Sequence, residues 1–405
     1  MTPDGTVSTA TDADVLRSGE FVRIVTRADG DAIAAAGLLA RALARDGTPF
    51  QITTGATIGD RTARLQEEIE GVTVAIGPHD HSETDPGTTA ETHLSIAATD
   101  RPATLAVADH LKTLEATGDP LLTLAGTVAA GIDPGAGETE WLLERALAGD
   151  APLIERRPGV GVPTTDMVDG LAHTGACLAP WSGDEDAVAA LLEAVPAAPT
   201  DGDVDHRTIG SLVALEAVGD PAASEHAATA IGRFLHPYAI TGADGSVPFV
   251  TLEGYADVLR ATADCEPGTG VALAMGHDVS TSALDAWRAC GRRAHTAIEG
   301  ASTGRYDGLF VVGIDDGPVR TVARLVSAYR SPEPTTLVIG NDEAAIRTRG
   351  DRSLGSTLEA VARDLGIETA YDVGRRGGHI RLPGPDDEVD TCSDERIITS
   401  VRDHL

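Results

Sequence analysis

Lysine is almost missing from this chain: Lys112 is the only one among 405 residues, and the remaining 30 of the 31 basic side chains are arginines. Aromatic residues make up only 3%, so the core must be built mainly from Ala, Val, Leu and Ile. The four cysteines form no C-x-x-C pair, which argues against a zinc site or a disulfide framework. No run approaches the roughly 18 apolar residues of a membrane span, and residues 1–18 lack a signal-peptide pattern. We therefore expect a cytoplasmic protein with no membrane partner.

The charge is strongly one-sided, with a formal net value of −32. An acidic, lysine-poor surface is typical of a halophilic protein, because a hydrated carboxylate shell stays soluble in multimolar salt, which screens its self-repulsion. The charge thus indicates habitat more than partners. Any nucleic-acid site must be a local arginine patch on an acidic body, since counterion release drives binding only weakly at high salt.

Hydrophobic patterning predicts an α/β protein in several parts. Strand-like segments alternate with helical ones at both ends of the chain, which favours a parallel sheet in the first domain. The predicted strands are Phe21–Thr26, Phe50–Thr54, Val72–Ile76, 308–313, Thr335–Ile339 and Ala344–Thr348. We expect a disordered tail (1–18), an N-terminal parallel-sheet domain (19–185), a helical middle with a connecting helix (186–300) and a smaller C-terminal α/β domain (301–405).

The first candidate site is the turn that carries Asp29 and Asp31 on either side of Gly30, between a buried strand and an Ala-rich helix. Chemistry in α/β folds gathers at such carboxyl ends of strands. Carboxylate oxygens suit magnesium or manganese, and a two-metal site supports phosphodiester hydrolysis. The alternative is a helix N-cap followed by a turn aspartate, which the same residues satisfy.

Four further residues, three of them in one loop, extend the candidate metal set. His79, Asp80 and His81 follow the strand Val72–Ile76, and imidazole and carboxylate groups at neighbouring loop positions can bind a metal. Asp133 follows a helix and could add a ligand. The alternatives are an exposed acidic loop for the first group and an ordinary Asp-Pro-Gly turn for Asp133.

The most specific local motif is the segment Gly374–His379, in which Arg375 and Arg376 precede Gly377, Gly378 and His379. Glycines let backbone N–H groups approach a phosphate or a base, while Arg and His supply charge-assisted donors. Arg347 and Arg349, on the preceding strand, could join them. The alternative is a glycine-permitted turn with solvent-exposed arginines. In so acidic a protein, the convergence of four arginines favours an anionic ligand.

In this order, the Asp-Gly-Asp turn within Val22–Ala36, the helical middle and the Arg-x-Gly-Gly-His segment within Gly374–His379 resemble the DHH phosphoesterase family, and above all its archaeal RecJ-type single-strand exonucleases. The resemblance spans residues 20–390. It implies an N-terminal domain that binds two manganese or magnesium ions and a C-terminal DHH-associated domain that grips a nucleic-acid end.

The chain departs from the family pattern at the metal motifs. By resemblance, Asp29 and Asp133 match ligand aspartates, but Val25 and Arg27 stand where the family has His or Asp and Asp or Asn. The name motif Asp-His-His is absent, and His79–His81 is the nearest candidate for it. Arg27 places a positive charge where a cation would bind, and it could instead bind a phosphate.

Three functions follow from the resemblance. The first is a RecJ-like exonuclease acting on ends of single-stranded DNA or RNA in replication or repair, with Asp29 and Asp31 as catalytic residues. The second, by analogy with the family's inactive replicative-helicase cofactor, is a DNA-binding scaffold that associates with a GINS-type complex and needs no metal. The third is a hydrolase for a small phosphate ester such as a short oligonucleotide or cyclic dinucleotide.

Overall fold

A computed structural model describes residues 19–67, 69–80, 93–96, 101–113, 118–194, 205–241, 248–350, 353–367, 370–383 and 393–405. The predicted tail (1–18) and His81 lie outside these ranges. No helix in the described ranges has the length and apolar character needed to cross a bilayer.

The N-terminal sheet is parallel throughout, as predicted. Its strands are β1 (Val22–Arg27), β2 (Phe50–Gly55), β3 (Val72–Ile76) and β4 (His93–Ile96), in the order β2-β1-β3-β4. Val22, Ile24 and Val25 of β1 are fully buried, which is expected for a central parallel strand covered on both faces. The turn at Asp29 therefore follows the carboxyl end of a buried strand.

The helices that accompany this sheet are α1 (Gly30–Asp46), α2 (Ile58–Gln66), α3 (Ala103–Thr113), α4 (Pro120–Ala129), a 3₁₀ turn (Gly137–Thr139) and α5 (Glu140–Leu147). Side chains cap three of them at the N-terminus: Asp29 caps α1, Thr57 caps α2 and Asp119 caps α4. The Ala-rich α1 is buried along most of its length because α3, α4, α10 (Leu252–Cys265) and α11 (Pro267–Ala274) surround it. Gly37 permits the closest of these contacts, since a Cβ there would lie 2.5–2.6 Å from Ala274.

The middle of the chain is mainly helical, as predicted. It contains α6 (Met167–His173), α7 (Glu185–Glu193), α8 (His206–Gly219), α9 (Ala227–Phe234), then α10, α11 and α12 (Ser280–Glu299). A small antiparallel pair, β5 (Ile154–Arg156) and β6 (Tyr238–Ile240), stands where no strand was predicted.

The C-terminal sheet is mixed and has six strands. Its elements are β7 (Ser302–Tyr306), β8 (Leu309–Gly313), α13 (Val319–Tyr329), β9 (Thr335–Ile339), β10 (Glu343–Thr348), α14 (Gly355–Asp364), β11 (Tyr371–Gly374), β12 (Gly377–Arg381) and α15 (Asp394–His404). The strand order is β11-β12-β10-β9-β8-β7, and only β8 and β9 run parallel. Within the motif Gly374–His379, residues Gly377, Gly378 and His379 are strand residues, and Arg375 and Arg376 form the tight turn before them.

The hydrophobic cores do not follow the predicted boundary between 185 and 186. One core joins the N-terminal sheet to residues of α10 and α12. A second joins the segment 160–188, helices α8 and α9, and α13 of the C-terminal domain. A third lies under the C-terminal sheet. The helical middle is therefore shared between the two sheet domains, and a cleft forms where they meet.

Candidate functional site

An arginine-lined cleft lies between the carboxyl end of β1 and the C-terminal sheet, and it encloses about 170 Å³. Eight arginines and three aspartates line it: Arg27, Arg101, Arg260, Arg320, Arg324, Arg347, Arg375, Arg376, Asp29, Asp31 and Asp264. Both sheet domains and the helical middle contribute side chains, because the cleft lies at their junction. A net excess of positive charge in a chain of net charge −32 marks this cleft as a place for an anion.

Both carboxylate oxygens of Asp29 have partners close by in the chain. Its Oδ1 caps helix α1 by accepting the Ala32 N–H at 2.8 Å, and its Oδ2 lies 3.0 Å from Arg27 Nη1. Arg27 in turn donates its Nε–H to Asp372 Oδ2 at 2.5 Å. Burial alone would lower the pKa of Arg27, but Asp372 and Asp29 raise it above its ordinary value. A permanent cation therefore stands between the two carboxylates.

Asp31 lines the cleft, and its carboxylate also caps the N-terminus of helix α3. Its carboxylate accepts the Ala103 N–H at 2.6 Å, the Thr104 N–H at 3.0 Å and the Thr104 hydroxyl at 2.6 Å. Burial, followed by the nearby Asp29, raises the pKa of Asp31, while these three hydrogen bonds act in the opposite direction. The alternative of an N-cap followed by a turn aspartate describes Asp29, which caps α1, but not Asp31, which lies within α1 and accepts hydrogen bonds from the first turn of α3.

The other predicted metal ligands are not brought to this point. His79 Nδ1 lies 3.1 Å from the Gly77 carbonyl oxygen, Asp80 is exposed, and neither lines the cleft. Asp133 is exposed and stands 3.7 Å from Arg233 Nε. Within the described ranges, no group of three His, Cys, Asp or Glu side chains is arranged to hold a metal ion.

The residues present therefore do not fit the manganese or magnesium pair that the resemblance implied. Carboxylates that would bind a cation are already occupied, by Arg27 in one case and by the N-terminus of α3 in the other. The guanidinium of Arg27 also repels a divalent ion at close range. Of the predicted metal set, His79, Asp80 and Asp133 are not brought to Asp29 and Asp31, and His81 lies outside the described residues.

The predicted arginine group is largely assembled. Arg347 on β10 and the turn residues Arg375 and Arg376 line the cleft, and none of the three forms an ion pair or side-chain hydrogen bond with another described residue. Burial, followed by Arg324, Arg376 and Arg233, lowers the pKa of Arg347 to about 10. Arg349 differs, because its Nη1 donates to the carbonyls of Ser327 and Ser331 and so supports the loop after α13.

The two glycines of the motif act through close packing. A Cβ at Gly378 would lie 2.2 Å from the Asp372 carbonyl oxygen, and one at Gly377 would lie 2.7 Å from the Ile346 carbonyl oxygen. This tight hairpin places His379 in the cleft wall with only 1% of its surface exposed. Its Nε2 has no hydrogen-bond partner within the described part of the chain. Burial, followed by Arg320, lowers the pKa of His379 to about 3, so the ring is neutral at physiological pH.

Four cleft arginines were missed by sequence reasoning: Arg101, Arg260, Arg320 and Arg324. Arg260 on α10 donates to the carbonyls of Ala129 and Val128, and burial followed by Arg324 lowers its pKa to about 9. Arg320 Nη1 donates to the Ala28 carbonyl at 2.7 Å. Arg320 and Arg324 are four residues apart on α13, so their shared helical face was a usable signal. The approach of Arg260 on α10 to these two arginines depends on tertiary packing, and the sequence carries no signal for it.

Comparison with known proteins places the chain in a family. It is 43% identical over 359 residues to "Uncharacterized protein rrnAC1427" of Haloarcula marismortui, covering 87% of this chain and 88% of that protein. The chain belongs to the rrnAC1427 family. Residues 301–403 also match the family model described as "Uncharacterized protein rrnAC1427, C-terminal domain", which begins at the first residue of the predicted C-terminal domain.

Solved structures show which fold this family has. CDC45 from Entamoeba histolytica matches with a TM-score of 0.56 and 8% identity, over 97% of this chain and 96% of that one. The exonuclease RecJ bound to manganese matches with a TM-score of 0.44 and 14% identity, over 96% and 91%. The likeness to CDC45 is one of fold. The mixed α/β fold expected from the sequence is thereby confirmed, and it is the fold of CDC45.

Proposed function

We propose that this chain is a catalytically inactive protein of the DHH fold that binds the end of a single-stranded nucleic acid in the arginine cleft. One observation carries the proposal: the guanidinium of Arg27 lies between Asp29 and Asp372, with an Nη1–Oδ2 distance of 3.0 Å and an Nε–Oδ2 distance of 2.5 Å. By resemblance this is the position of a metal-ligand side chain. Here it carries a positive charge.

The remaining cleft chemistry supports phosphate binding. Arginine presents a planar fork of donors that matches phosphate oxygens, and Arg347, Arg375 and Arg376 have no other described partner to satisfy them. Burial, followed by the nearby Arg324 and Arg376, lowers the pKa of Arg347, and a bound anion would offset the repulsion from these two arginines. Because the cleft is partly buried, salt screens these contacts less than it screens surface charges.

Hydrolysis is the less favoured function, because both the exonuclease and the small-phosphate hydrolase predicted from the resemblance need a water-activating metal pair. The described carboxylates do not form such a centre. Single-stranded DNA or RNA is the proposed ligand, and a role in replication or repair with a GINS-type partner is the second part of the proposal. That second part rests on the family resemblance alone.

The test combines binding and cleavage on the same samples. Fluorescence anisotropy of an internally labelled single strand in multimolar KCl is measured with EDTA or with manganese, and the strand is then analysed on a gel. We expect unchanged affinity with EDTA and no shortening. Arg347→Ala should weaken binding at least about tenfold, whereas Arg363→Ala, which removes an exposed arginine paired with Glu359, should not.

The opposite results are equally clear. Manganese-dependent shortening that disappears in Asp29→Ala would overturn the proposal in favour of the exonuclease. Equal affinity of the Arg347→Ala variant and the unmodified protein would show that the strand does not lie in this cleft.

A further inference from the structure

A second, larger cavity adjoins the arginine cleft and encloses about 500 Å³. The two share Arg260, Arg324, Arg347 and Arg376 in their walls. The cavity lies within the roughly 300–1,000 Å³ typical of small-molecule sites, whereas the cleft, at about 170 Å³, is below that range. The cleft thus suits a phosphate group, and the cavity suits a larger body attached to it.

The far part of the cavity has a different character from the arginine junction. Its walls include apolar side chains from four segments, among them Ile132, Phe234, Leu325 and Tyr329. Tyr329 is held in place because its hydroxyl donates to the Ala176 carbonyl at 2.9 Å. A fixed, partly apolar wall favours a flat, weakly polar group over a second hydrated phosphate.

Two acidic side chains line the cavity but not the cleft. They are Asp133 and Glu253, and burial raises the pKa of Glu253 to about 7. Carboxylates repel phosphate but accept hydrogen bonds from the amino groups of nucleobases. Outside the four shared arginines, the cavity wall holds Arg233, which lies 3.7 Å from Asp133, and Arg349. The charge there is close to balanced, whereas the cleft has eight arginines against three aspartates.

We infer that this cavity binds the terminal nucleoside of a single strand whose phosphate lies among the four shared arginines. The inference rests on the proposed function, because it takes the strand as the ligand of the arginine cleft. It adds the position of the terminal nucleoside of the strand. It also assigns helix α9 and the loop at Asp133 to ligand binding.

The test compares strands that end in an intact nucleotide with strands that end in an abasic phosphate, prepared separately for the 5′ and 3′ ends. Anisotropy is measured in multimolar KCl with EDTA. For one of the two ends, loss of the base should weaken binding by about tenfold. Thr229→Trp, an exposed position on α9 that lines the cavity, should remove this difference. Ala228→Trp, exposed on the same helix but outside the cavity wall, should keep it.

The outcomes separate this inference from the proposed function. Equal binding of intact and abasic strands at both ends would overturn the nucleoside site and leave phosphate binding in place. A Thr229→Trp variant that still distinguishes the two strands would place the base elsewhere. Unchanged affinity of that variant for the abasic strand is expected and shows that it is folded. No binding of any strand would overturn the proposed function and the inference with it.

Discussion

At the scale of single residues, Asp372 of the C-terminal sheet forms a buried contact with two arginines of the N-terminal domain. It is 1% exposed, and its two oxygens lie 2.5 Å from Arg27 Nε and 2.5 Å from Arg61 Nη2. Although burial alone would raise it, these two arginines lower the pKa of Asp372 to about 2. Replacing Asp372 would remove the anion that pairs with the buried guanidinium of Arg61, and it would leave Arg27 with Asp29 alone.

We predict that Asp372→Asn lowers the free energy of unfolding by about 3–5 kcal/mol, because breaking a buried pair from one side leaves uncompensated charge. Urea unfolding at a fixed KCl concentration measures this. The matched control is Asp60→Asn, which breaks the exposed contact between the domains at Arg381 and should cost less than about 1 kcal/mol. Similar small losses for both variants would contradict a buried bridge at Asp372.

Residue identity alone could predict part of this site. Arg27 is recognisable as an unusual residue at a ligand position, and Arg347, Arg375 and Arg376 do line the cleft. Asp372 is not recognisable in this way, because an isolated aspartate in a strand gives no sign of the two arginines that meet it from β1 and α2. Contacts more than 300 positions apart in the chain are set by how the domains dock.

At the scale of elements, helix α3 begins on a side chain from another helix. Asp31 of α1 supplies the acceptor for two backbone N–H groups and one hydroxyl at the first turn of α3. Because the site is buried, water cannot replace these bonds when the carboxylate is removed.

We predict that Asp31→Ala lowers the free energy of unfolding by about 2–3 kcal/mol. The control is Asp166→Ala. Asp166 is the exposed N-cap of α6 and accepts the backbone N–H groups of Val168 and Asp169, so its loss should cost about 1 kcal/mol. Urea unfolding gives both values, and amide hydrogen exchange at Ala103 and Thr104 locates the effect. Unchanged exchange at these two amides in Asp31→Ala would contradict the cap.

Elements with clear periodicity could be predicted from sequence, and the rest could not. The apolar strands β1, β3, β8 and β9 are predictable because buried parallel strands are continuous apolar runs. The strand β12 begins Gly377-Gly378, a pair that favours a turn, since glycine is unfavourable in strands. Close packing requires these glycines, because a Cβ added at Gly378 would lie 2.2 Å from the Asp372 carbonyl oxygen. That neighbour is visible only in the folded sheet.

At the scale of the whole molecule, a chain of net charge −32 concentrates positive charge in one interior cleft. Surface carboxylates are exposed and screened, but Arg347 is partly buried beside Arg324 and Arg376, and its pKa falls to about 10. At neutral pH its guanidinium is still protonated, so the folded protein bears this repulsion while the unfolded chain does not. Stability and ligand binding should therefore respond in opposite directions when this charge is removed.

We predict that Arg347→Leu raises the free energy of unfolding by about 1–2 kcal/mol and weakens single-strand binding at least about tenfold. Arg363→Leu, on the exposed face of α14, should change stability by less than about 0.5 kcal/mol and leave binding unchanged. Urea unfolding and anisotropy on the same three proteins provide the comparison. Loss of both stability and binding in Arg347→Leu would show that Arg347 stabilises the folded protein. It would contradict the view that charge repulsion in the empty cleft destabilises the fold.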